Sequence, residues 1–132
     1  MKLISLTPAI ALTLFILFML YIPFKNDAYK KKIWLFPAAL SLLFLLFSVQ
    51  TVTNGGMFGF WTEHTRNLWG NQIWLDLLLA FGIGWSFAVP EAKTLGMRPI
   101  PWLVLILSTG SVGLLAMLAR LLYLRENSGE LE

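Results

Sequence analysis

Residues 72–89, QIWLDLLLAFGIGWSFAV, and residues 100–124, IPWLVLILSTGSVGLLAMLARLLYL, decide how this chain is read. Each run is close to the ~20 apolar residues that an α-helix needs to cross the hydrocarbon of a bilayer. Each also holds one charge well inside it: Asp76 in the first, Arg120 in the second. A charge near the centre of a membrane helix costs roughly 2.5–3.5 kcal/mol on insertion scales, so it usually has a partner or a task.

Two further apolar stretches, 3–24 and 33–53, precede these. With 58% hydrophobic and 13% charged residues among 132, and a mean hydropathy of +0.72, a soluble domain could not hide its apolar surface. The expected fold class is therefore all-α integral membrane: a single membrane domain over 1–132, four transmembrane helices (about 3–24, 33–53, 72–89 and 100–124) in a bundle. An interfacial loop joins the second and third. Pro90 should stop the third span, because proline cannot continue the hydrogen-bond ladder. Pro99 and Pro101 suit the first turn of the fourth, where a missing N–H costs little. The first span is too long for a signal peptide, and Tyr21-Ile22-Pro23-Phe24-Lys25 carries no small-residue cleavage pattern.

The net charge of +3 comes largely from Lys25, Lys30, Lys31 and Lys32, between two apolar runs. A basic loop there is a topology signal and a contact for anionic headgroups rather than for nucleic acid. Lys93 and Arg98 follow the third span, whereas the long second loop holds only Arg66. The positive-inside rule then puts both termini outside. Cysteine is absent, which excludes disulfides, thiolate metal sites and cysteine nucleophiles.

Small residues suggest how the last two spans meet. Asp76, Ala80, Gly84 and Ala88 recur every four residues; Thr109, Gly113, Ala116 and Arg120 recur every three or four. Each set forms one helical stripe. An antiparallel hairpin about Arg98 pairs Asp76 with Arg120, Ala80 with Ala116, Gly84 with Gly113 and Ala88 with Thr109. Such small-residue seams allow close approach of membrane helices, and an Asp–Arg bridge would fix the register. The pair is read first as a folding clamp and second as a functional group.

The loop over 54–71 is too apolar for a solvated linker, with Met57, Phe58, Phe60, Trp61 and Trp69. It reads as interfacial, with a short amphipathic helix near 62–69. Glu63 and His64 are the acid–base candidates beside Asp76. One histidine beside one glutamate is too few ligands for a metal site, and no cofactor motif is present. Trp34, Trp74 and Trp102 look like belt residues. Trp85 lies mid-span, where it packs on a neighbour or lines an apolar pocket, and Gln50 is a further polar residue in the second span. Asp76, Arg120, Trp85, Trp61 and Gln50 make up the ligand-binding candidates.

The second half also resembles a group of small bacterial four-helix membrane proteins. The shared elements are Trp74-Leu75-Asp76-Leu77, Glu91-Ala92-Lys93-Thr94-Leu95-Gly96, Gly110-Ser111-Val112-Gly113 and Arg120. More distantly it is similar to the plant and cyanobacterial membrane family implicated in neoxanthin formation. The resemblance covers about 70–125 and implies a multi-pass protein of the bacterial inner membrane with an isoprenoid connection; it transfers no catalytic residue. The leading expectation is a protein that binds a partner protein, a second copy or an apolar lipid- or isoprenoid-like ligand. The alternatives are an isomerase- or cyclase-type membrane enzyme and a small oligomeric transporter or channel.

Overall fold

A computed structural model describes residues 3–21 and 32–129 of the chain. Every regular element among them is an α-helix: α1 (Leu3–Tyr21), α2 (Leu35–Gly55), α3 (Gly59–His64), α4 (Leu68–Thr94), α5 (Pro99–Thr109) and α6 (Ser111–Gly129). The helices divide into two compact units, Met1–Lys30 and Lys31–Glu132. Lys25, Lys30, Lys31 and the end of the expected first span, 22–24, lie outside the described residues.

The first unit is α1. Its apolar residues follow no helical face: Leu12, Leu14, Phe15, Leu17 and Leu20 point in all directions and all are exposed. A helix apolar all round belongs inside a large protein or a membrane.

In the second unit α2 and α4 are the helices long and apolar enough to cross a membrane. The expected stop at Pro90 does not occur, and α4 continues through it to Thr94. Proline removes one backbone hydrogen bond, but the turn that follows is held from outside the helix. Ala92 is fully buried in the core, and Glu91 pairs with Arg125. The helix then ends in a Schellman motif. The Met97 amide donates to the Ala92 carbonyl at 2.9 Å and the Gly96 amide to the Lys93 carbonyl at 3.1 Å. Gly96 sits at φ +75°, where glycine avoids a Cβ clash. Met97 and Ala92 both join the core cluster, as the motif's usual apolar contact requires.

The largest departure from the sequence reading lies in the fourth apolar run, which is two helices. α5 ends at Gly110, whose φ of 65° and ψ of −126° lie in a region open essentially to glycine alone. The chain reverses there. A Cβ on Gly113 would stand 2.9 Å from the Ile106 Cα and backbone nitrogen, so α5 and α6 touch almost backbone to backbone. With 11 residues, α5 is about 16 Å long, roughly half the thickness of a bilayer core.

α6 is the centre of this unit. Val112, Gly113, Met117, Ala119 and Leu121 are buried in it, and it packs against α2, α4 and α5. Against α2 it runs antiparallel. The Ser41 hydroxyl donates to the Val112 carbonyl at 2.8 Å, Trp34 meets the Tyr123 ring edge-on at 5.3 Å, and the Lys32 amide donates to Glu126 Oε2 at 3.0 Å. Against α4 it runs in the same sense: Gly110 adjoins Phe81, Gly84 adjoins Leu114, and Glu91 pairs with Arg125. The end of α6 therefore lies beside the end of α4 and the start of α2. It does not lie at the opposite end of the bundle, where four full crossings would have put it.

Candidate functional site

The parallel course of α4 and α6 dissolves the expected Asp76–Arg120 bridge. Asp76 stands about four turns before Glu91, and Arg120 about one and a half turns before Arg125, so the two are roughly 15 Å apart along the axis. Arg120 lies instead with its guanidinium carbon 5.6 Å from the centre of the Tyr123 ring. The glycine pairing goes with it, since Gly84 meets Leu114 and Gly113 meets α5. Small residues at helical spacing permit close approach in more than one register; the backbone reversal at Gly110 selects this one.

Asp76 is exposed. It shares a shallow groove with Leu68, Asn71, Gln72, Leu75 and Leu79, which is one face of α4 at helical spacing. Among the described residues, Arg66 pairs with Glu63 at 3.3 Å and Arg125 with Glu91, and no described cation pairs with Asp76.

Glu63 and His64 sit on another face. α3 packs on α4 through aromatic contacts, with His64 4.9 Å and Phe60 6.0 Å from Trp74, centre to centre. Trp74 precedes Asp76 by two residues, some 200° around the helix, so the loop cluster and the carboxylate do not converge. The short helix begins earlier than the sequence suggests, and α4 starts at Leu68 rather than Gln72. Asn67 is the reason: its side chain accepts from the Gly70 amide at 2.8 Å and caps α4. Asn71 closes the elbow by donating to the His64 and Asn67 carbonyls, each at 3.1 Å.

The other candidates separate. Trp85 is half-buried and packs against the core cluster. Trp61 and Phe58 are widely exposed at the α3 end. The backbone carbonyl of Gln50 accepts from Thr53 and Asn54, and its residue is exposed on α2. No group of three or more metal-ligating side chains occurs among the described residues.

Sequence reasoning missed the charged end of the bundle, where Lys32, Glu91, Arg125, Glu126, Trp34 and Tyr123 meet. Its signal was Glu91 after one apolar run and Arg125 after the next, partners only if the chain turns back between them. The opposite half is open. Beyond Ser41 on α2 and before Phe81 on α4, α6 no longer runs alongside. Leu42, Leu43, Leu46 and Phe47 on α2 are exposed there, as are Leu68, Leu75, Leu78 and Leu79 on α4.

The class so defined, among the described residues, is an all-helical protein with two helices of membrane-crossing length and apolarity. No protein-family model, curated protein or solved structure matches the chain.

Proposed function

We propose that this is a small membrane protein whose task is binding: it holds a partner protein or an apolar lipid- or isoprenoid-like ligand along the open half of α2 and α4. One observation carries the reading. The α5–α6 hairpin accompanies α2 and α4 for only half their length, so about 20 Å of each runs on without it, and the matching stretch of α4 meets only the short α3. Large apolar side chains on that scale are not left to water by soluble monomers. Bilayer hydrocarbon, or a ligand of similar character, accepts them.

The topology that fits has α1, α2 and α4 crossing the bilayer and α5–α6 entering it halfway and returning. Lys32, Lys93, Arg98 and Arg125 belong to one end, and Arg66 is the only base of the loop at the other. The positive-inside rule makes the first end cytoplasmic. The C-terminal end of α6 is then cytoplasmic too, unlike in a four-span reading, while the N-terminus stays outside. Phe58, Trp61 and Trp69 suit an anchor at the outer interface.

Native mass spectrometry in mild detergent is the test. Binding predicts mass retained on the chain, as lipid, isoprenoid or partner protein, together with a higher unfolding temperature when that ligand is added back. Clean, ligand-free material whose stability ignores added lipids and isoprenoids would refute it.

A further inference from the structure

An apolar ligand alone would have no use for a carboxylate, yet Asp76 is set about 12 Å from the start of α4, inside its apolar stretch. The residue is exposed, and Leu68, Leu75 and Leu79 flank it on one helix-wide face with Asn71 and Gln72. Resting on the binding reading above, we propose that this face docks a transmembrane helix of another protein carrying one arginine or lysine at the depth of Asp76. One ridge of leucine beside a single carboxylate complements an apolar helix with a single cation. Pairing there would also remove the cost of a lone charge in hydrocarbon.

Charge decides against a second copy as the occupant. A symmetric pair of chains joined by this face would set Asp76 against Asp76, and like charges in juxtaposition suppress association. The chain's described bases cannot answer it at that depth. Arg66 is paired with Glu63, Arg125 with Glu91, and Arg120 stands over Tyr123 near the other end of the unit.

The test uses the full chain, donor-labelled and reconstituted in phosphatidylcholine vesicles. It is titrated with acceptor-labelled synthetic Leu/Ala transmembrane peptides. One peptide carries a single Arg ~12 Å from the outer interface, and its control has Leu at that position. Energy transfer should show the Arg peptide binding about tenfold more tightly than the Leu peptide, a preference in the range of membrane hydrogen-bonded pairs. Asp76→Glu should keep the preference and Asp76→Asn should abolish it. Because the wild-type chain is compared with two peptides, the result does not depend on how either variant folds. Equal binding of both peptides would overturn the charge pairing while leaving the binding function standing. Asp76-dependent transfer between two labelled copies of the chain, with neither peptide bound, would overturn it in favour of self-association. If no peptide binds and no lipid or isoprenoid is retained, both the inference and the proposed function fall.

Discussion

Gly113 is where the reversed hairpin makes its most specific demand. A methyl group placed there meets the Ile106 backbone nitrogen and Cα at 2.9 Å, and Thr109 Oγ1 at 2.8 Å. The hydroxyl can rotate aside; the Ile106 backbone cannot, so α5 must move. Overpacking of this kind costs about 1–3 kcal/mol, against roughly 1 kcal/mol gained by replacing glycine with alanine in a helix. Gly113→Ala should therefore lose about 1 kcal/mol net. Gly82 has nothing within 4 Å of its would-be Cβ, and Gly84 has only the Leu114 side-chain end at 3.4 Å, an ordinary contact. Gly82→Ala and Gly84→Ala should each gain up to about 1 kcal/mol. Denaturant unfolding in mild detergent, followed by circular dichroism, measures all three. A glycine-on-glycine seam between two full spans would instead penalise Gly84→Ala and Gly113→Ala alike. That result, or a Gly113→Ala variant as stable as Gly82→Ala, would refute the hairpin.

Three other substitutions probe the contacts that place α6 and α4. Ser41→Ala removes the buried hydrogen bond to the Val112 carbonyl and should cost about 1 kcal/mol in the same unfolding assay. Asn67→Ala removes the cap on α4; about 1 kcal/mol should be lost, with faster amide exchange confined to the first turn of that helix. Glu91→Arg should destabilise by about 0.5–1 kcal/mol, and the double variant Glu91→Arg/Arg125→Glu should recover most of it. A double swap as unstable as the two single changes added together would show that the pair is not in contact.

Much of this architecture was legible because hydropathy reports helix existence well. α2 and α4 fall within a few residues of the expected second and third spans, and Pro99 opens α5 as its position suggests. The failures share a physical cause. Hydropathy averages over a window, and the apolar run 100–124 continues on both sides of a single residue, Gly110, that reverses the backbone. The signal was the cluster Ser108-Thr109-Gly110-Ser111, four poor helix formers in a row. It reads equally well as a close-packing site inside one helix. Once the run was taken as a full crossing, an antiparallel register followed, and the Asp76–Arg120 bridge with it. Pro90 misled in the opposite direction: local propensity argues for a stop, but burial of Ala92 and pairing of Glu91 outweigh one lost hydrogen bond. For the candidate site, the sequence singled out Asp76 as an unusual charge. It could not show that the neighbouring face is left uncovered, because that depends on where α6 begins.

The membrane side of the end of α6 tests the central claim most directly. The chain has no cysteine, so single cysteines at Asn54, Thr94 and Ser128 can be introduced without background. Each is then labelled with a membrane-impermeant maleimide from either face of sealed vesicles. A hairpin that enters and returns predicts that Thr94→Cys and Ser128→Cys react from the same face and Asn54→Cys from the other. Labelling of Ser128→Cys together with Asn54→Cys would mean that the fourth apolar run crosses the bilayer, and would contradict the account.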